Sequence, residues 1–144
     1  MSRVIASRKR LLRVRHVQHS QAVGALLQAR DEASQIADSA TRVARVREEL
    51  FGAGESDLTN GALLASKREL AGRLERAGRQ LDGALFDAER RADQRDAERI
   101  HADRDREIAE RLKDKAHAAR EALREARLAA LPSYRRMQNK GADE

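Results

Sequence analysis

The chain has 144 residues, of which 38% are charged and only 2% are aromatic, and its formal net charge is +6. With so few large side chains, it lacks the material for the thick core of an ordinary globular domain of this length. It has no cysteine, which excludes disulfides, thiolate chemistry and cysteine-based zinc sites.

Apolar residues recur every seven positions in the first third of the chain. Two interleaved series make up this repeat: His19, Leu26, Ala33 and Ala40, and then Ala22, Ala29, Ile36, Val43 and Leu50. A narrow apolar seam of this kind predicts long helices that wrap around each other. High charge and low hydropathy would also fit complete disorder, but the regular spacing of the seam favours helices.

The spacing predicts a first helix over about residues 3–51 and a second over about 61–131. Between them, residues 52–60 are dense in Gly, Ser, Asp and Asn, which is the chemistry of turns. Pro132 ends the second helix, and residues 132–144 form a polar tail. A short connection between long helices favours an antiparallel arrangement. The predicted fold class is therefore all-α, with two long helices forming one antiparallel coiled-coil hairpin over residues 1–144.

A register can be assigned by matching large residues across the hairpin. If partner residue numbers add to 117, Val43 faces Leu74 and Ile36 faces Leu81, although other registers also give good layers. The second helix is the longer one, so its end after about Lys115 overhangs the first helix. Its apolar stripe continues there without a partner in the chain, and we expect a second chain or a different protein to bury it. The stripe consists of Ala116, Ala119, Leu123, Ala126 and Ala130.

Residues 89–115 are mostly charged and allow two interpretations. Their apolar residues Ala92, Ile100, Ile108 and Leu112 are spaced by four and eight, which indicates a stutter that relaxes the supercoil. The simpler interpretation is a solvated helix held by ion pairs between residues three or four apart.

The first thirty residues are strongly basic, and no acidic residue precedes Asp31. Positive charge at a helix N-terminus opposes the helix dipole, so an acidic partner is expected. One candidate is the second helix, which carries Asp103, Asp105, Glu107, Glu110 and Asp114. The other is an acidic protein or nucleic acid. Nucleic acid is disfavoured because no aromatic residues interleave with the charges and no DNA- or RNA-binding motif is present.

The sequence has no nucleotide-binding glycine motif, no nucleophile elbow and no metalloprotease motif. We therefore expect no catalytic activity, no cofactor, no metal and no small-molecule substrate. A metal-dependent enzyme remains as an alternative only because the assumed register brings His16 near His101. No apolar run reaches the about 20 residues that span a bilayer, and no secretory signal opens the chain, so we expect a cytoplasmic protein.

A family resemblance rests on the chain's size, its hairpin and its opening LLRVRHVQHSQAVGALLQARDEASQI, together with an Arg-rich second helix. The opening combines a Leu-x-x-Val-Arg element with an Ala-rich seam. In these features the chain resembles the FliJ family, the small stalk-like component of the flagellar type III export ATPase complex. It is also similar to the YscO family of injectisomes.

The resemblance implies a non-enzymatic stalk whose terminal ends insert into a hexameric export ATPase. The remainder would reach the membrane export gate and handle export chaperones, at the cytoplasmic side of the inner membrane by the flagellar basal body. The implied partner-binding residues are Arg8, Lys9, Arg10, Arg13, Leu123, Leu128 and Leu131. The alternative is a generic basic coiled-coil scaffold, as a homodimer, that associates with nucleic acid. The sequence separates neither a flagellum from an injectisome nor a monomer from a self-associating dimer.

Overall fold

A computed structural model describes residues 2–52 and 61–132 of the chain. It contains two helices, α1 over Ser2–Gly52 and α2 over Gly61–Ala130, and no strand among these residues. Both helices end within one residue of the bounds predicted from the sequence. The predicted connection over 52–60 and the predicted tail over 132–144 lie outside the described residues, apart from Gly52 and Pro132.

The length of the helices follows from what their sequences contain and omit. Both are rich in Ala, Leu and Arg, which lose little freedom in a helix, and neither contains proline. Pro132 disfavours a helical conformation at Leu131, so α2 ends at Ala130. The Leu131 N–H instead donates to the Leu128 carbonyl at 3.2 Å, which tightens the last turn.

The contacts divide the chain into two compact units. Unit 1 combines Met1–His19 with Ala102–Glu144, and unit 2 is Ser20–His101. Each unit contains one stretch of α1 and one of α2, which is the pairing expected of antiparallel helices. The fold is thus the predicted all-α, antiparallel coiled-coil hairpin, whereas the single domain over 1–144 stays a prediction.

Each unit has a small core, as two helices alone cannot enclose much volume. In unit 1 the buried apolar residues are Ile5 and Ala109, and in unit 2 they are Leu26, Ala29 and Ala88. Alanine at three of these five places allows the helix backbones to approach closely. No polar or charged residue among those described is buried, so the seam incurs no desolvation cost for buried charge.

The register differs from the predicted one by about one helical turn. Partner residue numbers add to 120 for the Arg15–Asp105 ion pair and to 122 for His19–Asp103, both in unit 1. In unit 2, a Cβ built on Gly78 would lie 4.0 Å from Cγ1 of Val43, a pair whose numbers add to 121. The predicted sum of 117 is therefore wrong. Val43 faces the smallest possible residue, and layers that match large to small keep the helices evenly spaced.

Two of the residues on which the predicted stutter rests, Ile100 and Ile108, do not belong to the seam. They are 39% and 53% exposed. The seam of α2 is instead a row of half-buried and buried positions that keeps spacings of three and four. Its members are Leu85, Ala88, Ala92, Asp96 and Arg99 in unit 2 and Ala102, Arg106, Ala109, Lys113 and Ala116 in unit 1. The long stems of Arg and Lys cover apolar surface while their charged ends reach water, so isoleucines are not required there.

Ion pairs between residues three or four apart recur along α2, as the simpler interpretation of residues 89–115 predicts. Arg95 lies 2.9 Å from Glu98, Arg99 lies 3.0 Å from Asp96, and both pairs are three residues apart. Pairs of this kind contribute about 0.2–0.5 kcal/mol each to a helix.

Candidate partner-binding site

The C-terminal end of α2 extends beyond the contacts that the rest of unit 1 makes. Ala116 and His117 are half-buried, whereas every residue from 118 to 132 is exposed. The leucines predicted as partner contacts lie in this stretch, and Leu123, Leu128 and Leu131 are 42%, 59% and 64% exposed. The predicted overhang is confirmed. It presents aliphatic side chains that remain exposed among the described residues of unit 1.

The basic residues predicted for the site lie in the same unit, on the first turns of α1. Lys9, Arg10 and Arg13 are exposed and Arg8 is half-buried. Within the described part of the chain, none of the four forms an ion pair or a side-chain hydrogen bond. Unit 1 therefore brings all seven predicted residues into one compact unit without neutralising its basic members.

The carboxylates of α2 neutralise only one of the N-terminal basic residues. The Arg15 guanidinium contacts the Asp105 carboxylate at 3.4 Å, and Nε2 of His19 lies 3.5 Å from Oδ1 of Asp103. Arg106 donates to Asp103 at 2.8 Å, and this hydrogen bond raises the pKa of the Arg106 guanidinium further above its ordinary value.

The other acidic residues that were predicted to offset the basic start of α1 lie near basic residues of their own helix. Glu110 lies 4.0 Å from Arg106, Glu107 lies 4.0 Å from Arg111, and Asp114 lies 3.5 Å from Lys113. The prediction that the carboxylates of α2 offset the basic start of α1 therefore holds for Arg15 alone. The other cations keep their charge available for a partner.

The net charge of the chain is concentrated in unit 1. Residues 1–19 contain six Lys or Arg and no Asp or Glu, and residues 102–144 contain eleven Lys or Arg and nine Asp or Glu, for a net charge of +8. Residues 20–101 contain 13 Lys or Arg and 15 Asp or Glu, for a net charge of −2. A segregation of this size attracts acidic partners to one unit of the protein.

An opening lies between the helices of unit 2, and it was not predicted from the sequence. Its floor contains Val43, Leu74 and Gly78, and Phe51, 63% exposed, lies at its edge. The missing side chain at Gly78 opposite Val43 was the available signal. Two basic and three acidic side chains line the opening, so neither sign of charge dominates; they are Arg47, Glu48, Glu75, Arg79 and Asp82.

Neither helix contains a stretch, within 2–52 and 61–132, that is long and apolar enough to cross a membrane. Over the same ranges, no three His, Cys, Asp or Glu residues come together in a way that would hold a metal ion. Comparisons with protein-family models, with curated proteins and with solved structures find no match. The site is therefore interpreted from its own chemistry.

Proposed function

We propose that this protein is a non-enzymatic stalk of a type III export apparatus, flagellar by the resemblance of its sequence. In this role it binds and activates a hexameric export ATPase in the cytoplasm beside the inner membrane. It also connects that ATPase to the membrane export gate and to export chaperones. No cofactor or small-molecule substrate takes part.

The observation that carries the proposal is the exposed end of α2. Residues 118–130 form a helix of more than three turns with every residue exposed. Aliphatic side chains at Leu123 and Leu128 gain free energy when a partner covers them, on the order of 1–2 kcal/mol each at full burial. An annular partner suits such an element, because a surrounding surface can cover all sides of one helix.

The unpaired basic residues of α1 also favour unit 1 as the region that contacts the ATPase. Lys9, Arg10 and Arg13 are exposed and lie in unit 1 with the end of α2. Cations that are not neutralised within the chain steer an acidic partner and set its orientation, and this contribution weakens with salt.

The test measures ATP hydrolysis by the export ATPase encoded in the same genome, with and without this protein. We expect stimulation by the wild-type chain, and at least about a tenfold higher half-maximal concentration for the double variant Leu123→Gln with Leu128→Gln. Glutamine retains helix propensity, so the variant removes apolar surface without weakening α2.

The matched control replaces two leucines near the start of α2, Leu63→Gln with Leu70→Gln. They are 39% and 44% exposed and lie in unit 2, and the control should stimulate like the wild type. An ATPase indifferent to the wild-type protein, or an equal loss in both double variants, would show that the proposal is wrong.

The charge of unit 1 also favours a second candidate, a basic scaffold that associates with nucleic acid. That function requires binding to duplex DNA whose affinity falls steeply with salt, because phosphate contacts release counterions. A fluorescence anisotropy titration at two salt concentrations measures it. DNA binding of this kind, together with no effect on the ATPase, would select the scaffold over the stalk.

A further inference from the structure

Unit 1 has further aliphatic residues outside the seam and outside the overhang, and we call five of them the aliphatic flank. On α1 they are Val4, Leu11 and Val14, and on α2 they are Ile108 and Leu112. Val4, Val14 and Ile108 are 48%, 52% and 53% exposed, and the two leucines are half-buried. None of them served in the proposed contact with an ATPase.

The Arg15–Asp105 ion pair shows that the two rows share one side of unit 1. On α1, Val4, Leu11 and Arg15 are separated by seven and four residues, so they lie along one helix face, and Val14, three residues after Leu11, lies beside that face. On α2, Asp105, Ile108 and Leu112 are separated by three and four residues and also lie along one face. Since Arg15 contacts Asp105 at 3.4 Å, both faces border the same flank of the helix pair.

The two rows also lie level with each other along the helices. Facing residue numbers in unit 1 add to between 120 and 122. Leu11 is then level with residues 109–111 and Val14 with residues 106–108. From Val4 to Val14, the flank extends for about 15 Å at the rise of an α-helix.

Single exposed aliphatic residues are common on protein surfaces and need no explanation. The flank differs because its members lie on one side of two paired helices and are bordered by cations. Arg3 and Arg10 directly precede Val4 and Leu11, and Lys115 follows Leu112 by one turn. These three cations form no ion pair among the described residues. The only acidic residue in the row of positions 105, 108, 112 and 115 is Asp105, which Arg15 already contacts.

We propose that the aliphatic flank binds an amphipathic helix of another protein, with an aliphatic ridge and acidic residues on both sides of that ridge. Two parallel aliphatic rows on adjacent helices form the surface that a third helix packs against in a helical bundle. The bordering Arg and Lys residues select acidic flanking residues on the incoming helix. This inference does not rest on the export function.

The observations disfavour two other occupants. A second copy of unit 1 would bring a net charge of +8 against an equal charge, and such repulsion opposes pairing through this flank. A membrane surface is usually bound through Trp or Phe beside Leu on an apolar helix face, and the aliphatic flank has no aromatic residue. Both occupants are outcomes of the experiment below.

The experiment titrates the full-length protein into a fluorescein-labelled helical peptide of about three heptads, with Leu at positions a and d and Glu at e and g. A matched peptide carries Lys in place of every Glu. We expect the Glu peptide to bind with an affinity that falls with added salt, and the Lys peptide to bind at least about tenfold more weakly. Fluorescence anisotropy measures both affinities.

Variants test whether binding takes place at the flank. The double variant Val14→Ser with Ile108→Ser should bind the Glu peptide at least about tenfold more weakly, since it removes aliphatic contact without changing charge. The matched control is Val46→Ser with Phe86→Ser, two residues of unit 2 that are 46% and 61% exposed, and it should leave the affinity unchanged. Circular dichroism establishes that both variants retain their helices.

Several results would overturn the inference. Equal affinity of the Glu peptide for the wild type and for the Val14→Ser, Ile108→Ser variant would reduce the binding to nonspecific charge attraction. Binding to anionic phospholipid vesicles without binding to the peptide would assign the flank to a membrane surface. Dimers in sedimentation velocity that this variant converts to monomers would assign it to a second copy. The ATPase response of Leu123→Gln with Leu128→Gln is independent of all three results.

Discussion

Arg15 and Asp105 are separated by 90 residues in the chain and form an ion pair at 3.4 Å between the two helices. The pair lies at the edge of the seam, with side chains about one third exposed. It marks the register of unit 1, which the alanines of the seam do not reveal. Its expected contribution to stability is small, because water screens charges at this exposure.

A double-mutant cycle with Arg15→Gln and Asp105→Asn should measure that contribution. We expect a coupling free energy of about 0.2–1 kcal/mol at low salt, decreasing as salt is added, because the pair is partly solvated. Urea unfolding followed by circular dichroism provides the four free energies of unfolding. A coupling that stays unchanged in high salt would contradict the assignment of a screened surface pair.

Two adjacent leucines test the seam of unit 2. Leu26 is 3% exposed and Leu27 is 60% exposed, so the same substitution should have unequal effects. Leu26→Ala should lower the free energy of unfolding by about 2–3 kcal/mol, whereas Leu27→Ala should change it by less than about 0.5 kcal/mol. Equal losses in urea unfolding would show that the seam does not pass through Leu26.

Glycines on open helix surfaces should be stabilised by alanine. A Cβ at Gly24 or Gly83 would meet no atom within 4 Å, and both residues lie inside helices. Gly24→Ala and Gly83→Ala should each raise the free energy of unfolding by up to about 1 kcal/mol, because glycine loses more backbone freedom in a helix. A lower midpoint of thermal unfolding in either variant would contradict the prediction, because it would mean that the added methyl group clashes with a neighbouring atom.

Cysteine pairs can distinguish the observed register from the predicted one. Val43→Cys with Gly78→Cys should form an intrachain disulfide on mild oxidation, since a Cβ on Gly78 would lie 4.0 Å from Cγ1 of Val43. Val43→Cys with Leu74→Cys, which matches the register with a sum of 117, should react more slowly. Denaturing gels without reductant report the rates. Faster closure of the Leu74 pair, or cross-links only between chains, would refute the observed register.

The helices and their ends were predictable because local chemistry determines them. Pro132 stops α2, and the seven-residue spacing specifies which face is buried. The exposed end of α2 was predictable for the same reason, since it follows from the unequal lengths of the two helices.

The register was not predictable from the sequence because repeated alanine layers give several alignments of similar energy. Val43 can face Leu74 or Gly78 without leaving the seam. Only side-chain geometry, such as the approach of Arg15 to Asp105, separates the two alignments. The aliphatic flank was missed because Ile108 was assigned to the seam, and a periodic pattern does not reveal a second apolar surface beside the first.

The exposed end of α2 also has a consequence for proteolysis. Arg120, Arg124 and Arg127 are trypsin sites within a stretch where no residue is buried, so local opening there costs little free energy. Brief digestion should cut α2 at these arginines before it cuts the paired helices. A partner that covers the end of α2 would protect all three, and the rate of cleavage would then report occupancy of the site without any label.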